Sequence, residues 1–215
     1  MPEDFVEKVA LLFVGWLLGL LGPIVVDAIR RRRENVLGQA AILTELHELA
    51  EMLALAAYAV KADLGTVDRA FLEWIKRDLE LHGTTPEVQK HVEHFRTQLS
   101  WTDEARLKVA GHLKKKAGKG TVLQHYPVPL LDARVSAMWS FSTTFQRQLL
   151  QIRRNVALLD ALVDRAQKYH DMTYSKLEGN NYELVVDNQD QACTEYATRA
   201  QRVVDLIRSI PSATQ

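Results

Sequence analysis

The chain has 215 residues, with 27 basic and 27 acidic side chains and no formal net charge. Hydrophobic residues make up 47% and charged residues 25%, which excludes a disordered or collagen-like chain. The single cysteine, Cys193, excludes an intramolecular disulfide framework and fits a reducing compartment, and the balanced charge gives no global reason to bind nucleic acid.

The 18 positions from Val9 to Val26 carry no charge. At ~1.5 Å per residue they span about 27 Å as a helix, close to the ~30 Å hydrocarbon core of a bilayer. Ala28 and Ile29 extend the stretch, and Arg30, Arg31, Arg32 and Arg33 follow at once, opposite the acidic residues Glu3, Asp4 and Glu7. Arginines on one flank predict a cytoplasmic flank. The sequence therefore predicts a short extracytoplasmic tail over 1–8, a single-pass transmembrane helix over 9–29 and a cytoplasmic remainder at the cell membrane. The basic cluster follows the apolar run and no A-x-A site appears, unlike a cleaved signal peptide. Gly15, Gly19 and Gly22 share one helix face, and the G-x-x-x-G pair within them lets two membrane helices approach closely. Pro23 is a candidate kink.

Residues 30–64 read as a long juxtamembrane helix. Val36, Leu43, Leu46, Ala50, Leu53, Ala57 and Val60 lie on one heptad seam, and Gly65 closes it. The remainder, 65–215, reads as a cytoplasmic helical bundle that packs with 35–62. Thr66 or Asp68 caps a helix running to His82, with Gly83 after it. Thr85-Pro86-Glu87 reads as N-cap, first helical proline and acidic first turn. Ser100 or Thr102 opens a third helix reaching Ala117-Gly118, and Gly118 to Pro129 reads as a loop. A seam from Leu131 through Ala166, interrupted only at Ser142, predicts one coiled-coil-like helix over 131–174. Tyr182 to Val186 is a candidate short strand, and the last helix is expected over 188–209. The fold class is thus all-α, a membrane helix feeding a bundle of long helices.

Chemistry is sparse. Glu87, His91 and His94 occupy i, i+4 and i+7 of one helix face, a partial metal site at most, because closed or catalytic sites need three or four ligands with supporting partners. Gly118-Lys119-Gly120-Thr121 lacks the phosphate-loop spacing. Cys193 sits on a helical seam, as a buried thiol does. No cofactor is expected. Lys114, Lys115, Lys116 and Lys119 form a basic stretch able to contact anionic lipid headgroups, worth ~1 kcal/mol per residue near a surface.

Arg165-x4-His170 resembles the R-x4–6-H motif of HEPN-type ribonucleases, which are all-α. The resemblance implies that Arg165 orients an RNA phosphate and that His170 performs acid–base chemistry at the 2′-hydroxyl. Arg106-x5-His112 matches as well, and sixteen arginines with seven histidines produce about 1.6 such matches by chance. The sequence-based expectation is a membrane-anchored helical scaffold, adaptor or signalling protein that self-associates or binds a protein partner, without enzymatic activity. The alternatives are a toxin-like effector, either a HEPN-like ribonuclease or a membrane-disrupting oligomer.

Overall fold

In the computed structural model the residues described are 3–83, 85–115, 122–175 and 180–211, without the side chains of 3–7, 10, 17, 18, 20, 22–24, 136 and 137. All regular elements among them are helical: α1 (Glu3–Leu64), α2 (Arg69–His82), α3 (Pro86–Ser100), α4 (Asp103–Leu113), α5 (Pro129–Ala133), a 3-10 helix (Val135–Ser140), α6 (Thr143–Met172) and α7 (Asn181–Arg208). The chain divides into two units, Met1–Ile42 and Leu43–Gln215, and α1 contributes to both.

The first unit is the N-terminal part of α1. Pro23 does not interrupt the helix. Leu12, Trp16, Val26 and Ile29 are each more than 60% exposed. A Cβ added at Gly15 or Gly19 would meet nothing within 4 Å among the described residues. Among the described residues no helix is long and apolar enough to cross a membrane. Seven positions of the expected span (10, 17, 18, 20 and 22–24) lie outside the described side chains, the third glycine of the stripe, Gly22, among them. Arg30 to Arg33 are exposed, and Arg30 pairs with Glu34 at 2.9 Å.

The second unit holds the core. Leu43, Leu46, Ala50, Leu53, Ala57 and Val60 are all buried within the one chain. The heptad seam of this stretch is therefore an internal surface, and Val36, which begins the pattern in the other unit, is 61% exposed. Gly65 ends α1 as expected. Its φ of +68° is open to glycine at little cost, and the bonds Gly65 N–H to Ala62 and Thr66 N–H to Lys61 satisfy the last carbonyls of the helix. Gly83 ends α2 for a different reason. Its φ is −78°, but a Cβ there would collide with Val88 Cγ1 and lie 2.7 Å from the Leu79 carbonyl oxygen, so glycine is required for space.

Asp68, Thr85 and Thr102 cap α2, α3 and α4 with side-chain oxygens. Helix α4 ends at Leu113, and the expected end at Ala117-Gly118 lies outside the described residues. Two expectations are corrected. The helix predicted from 131 is instead α5, a 3-10 helix and then α6, because Ser142, the break in the seam, is the N-cap of α6 and accepts from Phe145 N–H. The strand suggested at Tyr182 to Val186 is the first turn and a half of α7. Val185, Val186, Gln189, Ala192 and Cys193 recur at helical spacing and are all buried.

Helices α6 and α7 pack against each other. His170 meets Gln189, Arg165 meets Glu195 and Asn155 meets Arg199, so α7 numbering rises as α6 numbering falls and the pair is antiparallel. Leu49 and Leu53 of α1 line a small void together with Val156 and Leu159 of α6 and Tyr196 of α7. Helix α2 is tied to α7 by a bidentate pair, Arg208 Nε to Asp78 Oδ1 at 2.9 Å and Nη2 to Oδ2 at 3.2 Å. Helix α3 is tied to α1 through Tyr58, whose hydroxyl accepts from Gln98 Nε2 at 2.6 Å.

Candidate functional site

The loop at 122–128 carries Pro127, and Pro129 then takes the first position of α5, where its missing N–H costs nothing. Val128 offers α5 no capping side chain. Glu45 of α1 supplies one instead: its two carboxylate oxygens accept from Leu130 N–H and Leu131 N–H, each at 2.8 Å. At the other end, His125 is clamped by α6. Its Nδ1 lies 3.0 Å from Asp160 and its Nε2 3.1 Å from Asp164. Asp160 and Asp164 are one turn apart, so a single imidazole spans both. Both ring nitrogens face carboxylates, which requires both to donate and favours the charged ring. The hydrogen bond to Asp160, aided by the charges of Asp160 and Asp164, raises the His125 pKa above its usual value.

Between this pinned segment and α6 lies a cleft of about 340 Å³. Tyr126, Pro127 and Val128 form one wall; Leu150, Val156 and Ala157 of α6 form apolar surface opposite. Asp132, Arg153, Arg154 and Asp160 add the charges. Arg153 pairs with Asp132 at 2.8 Å. Burial raises the Tyr126 hydroxyl pKa, so it stays a neutral donor and acceptor. Behind the cleft, and sharing Tyr126, Val156 and Asp160 with it, is a void of about 10 Å³. Tyr196 lines it, 1% exposed, with its hydroxyl lacking a hydrogen-bond partner among the described residues. Burial raises that hydroxyl's pKa as well. The void is the size of a single water.

The residues singled out from sequence fall elsewhere. His94 Nε2 is engaged by Gln98 at 2.7 Å and Tyr58 at 3.2 Å, while His91 stacks on Phe95 and Glu87 is exposed. These are packing contacts of α3, and among the described residues no group of three or more His, Cys, Asp or Glu could hold a metal ion. Arg165 lies on the exposed face, paired with Glu195 at 3.3 Å. His170 lies beside Tyr174 and Gln189, both at 3.5 Å. No hydrogen bond or ion pair among the described residues joins Arg165 and His170. The other chance match is divided too: Arg106 is buried and donates to the Leu99 and Trp101 carbonyls at the end of α3 and to Asp103, whereas His112 bonds the Lys108 carbonyl. Burial pushes the Cys193 thiol up to about 11, so it stays protonated. Lys114 is exposed, Lys115 pairs with Asp63 at 3.0 Å, and Lys116 and Lys119 lie outside the described residues.

Sequence reasoning missed the cleft. Its signals were present in part: the i, i+4 spacing of Asp160 and Asp164, and a histidine in a proline-flanked loop. What pairs them is a contact across 35 residues that no local pattern encodes. Compared with protein-family models, with curated proteins and with solved structures, the chain matches none.

Proposed function

We propose that the chain is a membrane-anchored helical scaffold or signalling protein that acts by self-association or by binding a protein partner. In this reading residues 9–29 cross the bilayer, Arg30 to Arg33 hold their flank in the cytoplasm, and the bundle is the cytoplasmic domain. The observation that carries it is the contrast in exposure along α1. Leu12, Trp16, Val26 and Ile29 stand more than 60% exposed, whereas the apolar residues from Leu43 to Val60 on the seam are used inside the bundle. Each large apolar side chain left in water forgoes about 1.5–3 kcal/mol, so a row of them favours a bilayer or a second copy. The free surface at Gly15 and Gly19 supports close approach of two such helices. Because the bundle seams are occupied, association in this reading runs through residues before Ile42, and the bundle contributes its outer surface to a partner.

Fractionation of cells producing the intact chain tests the anchor. Alkaline carbonate should leave the chain in the membrane pellet and detergent should release it. Recovery in the aqueous supernatant would contradict the proposal. Cross-linking in native membranes should then give a band of dimer size or larger, or one shared with a partner.

A further inference from the structure

The cleft under residues 126–128 has a charge arrangement that points to a ligand class. Two of its acidic groups are already engaged, Asp132 by Arg153 at 2.8 Å and Asp160 by His125 at 3.0 Å. Arg154 lines the same cleft and has no partner among the described residues. The remaining surface is apolar, with Val128 and Val156 buried beneath it and Leu150 half-exposed at its edge. We propose that this cleft binds a small soluble organic anion with an apolar body, its anionic oxygens on the Arg154 guanidinium and its body against Val128, Leu150 and Val156.

Three physical arguments support this. A guanidinium presents parallel N–H donors that match a carboxylate, sulfonate or phosphate edge, and such charge-assisted bonds are about twice as strong as neutral ones. A cleft of about 340 Å³ falls at the lower end of the roughly 300–1,000 Å³ range of small-molecule sites, enough for a single ring and its substituent. The wall is held before any ligand arrives, by the His125 clamp on one side and the Glu45 cap on the other, so binding does not have to order it. Neither half of the ligand suffices alone. An exposed arginine holds a bare anion weakly in water, and a neutral ring leaves the guanidinium unmatched. The site stands independently of the anchor proposed above.

The test uses the intact chain in zwitterionic lipid nanodiscs and three probes: benzenesulfonate, its neutral isostere benzenesulfonamide, and methanesulfonate, an anion with no ring. Binding is read from amide chemical shifts of Tyr126 and Val156. Benzenesulfonate should bind at least tenfold more tightly than either other probe. Arg154→Ala should weaken it at least fivefold with an unchanged melting temperature, and Ala157→Trp, at an exposed position in the cleft, should abolish it by filling the space. Lys168→Ala, exposed on α6 outside the cleft, should bind as the parent does. Equal binding of methanesulfonate or benzenesulfonamide would overturn the proposal, as would an Arg154→Ala chain that binds normally or an absence of shifts with all three probes.

Discussion

The two parts of α1 are built from similar residues and meet opposite fates. Before Ile42, Leu12, Trp16, Val26 and Ile29 are more than 60% exposed; after it, Leu46, Leu53 and Ala57 are at most 1% exposed. Helix α1 thus carries exposed apolar side chains before Ile42 and a buried apolar seam after it. The difference teaches that an apolar helical period states only that a face must be buried. What buries it is decided elsewhere in the chain, here by α3, α6 and α7.

The largest effect should separate those two parts. Leu53→Ala is expected to cost about 4 kcal/mol, since a fully buried leucine leaves a cavity, and Leu12→Ala should leave the unfolding midpoint of the bundle unchanged. Equilibrium urea unfolding of the intact chain checks both. Equal effects at the two sites would remove the distinction. Next is the Asp78–Arg208 pair, whose side chains are 7% and 11% exposed. Asp78→Ala strands a buried guanidinium and should cost about 3 kcal/mol in the same assay, with part recovered when Arg208→Leu is added. A loss below about 1 kcal/mol would mean that water reaches the pair.

Sequence periodicity made the second unit legible to a large degree. The α1 seam, the caps Asp68, Thr85 and Thr102, and the Gly65 stop are local signals, and each is where its chemistry requires. The long-helix reading at 131 failed at Ser142 because apolar residues keep the seam's spacing across the boundary between helices, with Leu131 of α5, Met138 of the 3-10 helix and Phe145 of α6 all buried. Tyr182 to Val186 misled because its β-branched residues suit a strand, while burial along α7 decides the outcome. The cleft was not legible. His125 with Asp160, Glu45 with Leu130 and Arg153 with Asp132 are pairs between separate elements, and no spacing rule joins them.

Smaller effects sharpen the picture inside the bundle. Tyr196 has a buried hydroxyl with no partner among the described residues, so Tyr196→Phe should stabilise the chain by about 1 kcal/mol. A loss of similar size instead would place a bound water in the adjoining void. The smallest effect is a pH dependence at His125. Its pKa is raised in the folded chain, so the linked stability is fully present below the unfolded value of about 6.5 and is lost as pH rises through the folded value. At 53% exposure the clamp is worth about 0.5 kcal/mol, and the melting temperature should fall by about 1 °C on going from about pH 6.5 to about pH 8. His125→Asn should lack that fall. Partial burial, with the Arg208 charge nearby, lowers the pKa of His47 and of His82, which act in the opposite sense below about pH 6.5, and the raised Cys193 thiol acts in the same sense as His125 once the pH nears the ordinary thiol value of about 8.5, so the window between about pH 6.5 and about pH 8 isolates His125.

The central claim is that association belongs to the residues before Ile42 and that the bundle seams are internal. Because a Cβ at Gly15 or Gly19 meets nothing within 4 Å among the described residues, leucine at both positions should leave the protomer intact and obstruct only a second helix. Analytical ultracentrifugation of the detergent-solubilised chain and of its Gly15→Leu/Gly19→Leu variant is the direct measurement. The account predicts an oligomer for the parent and a monomer for the variant, with the same urea midpoint for both. A variant that stays oligomeric, or a parent that is monomeric in detergent and uncrosslinked in native membranes, would contradict it.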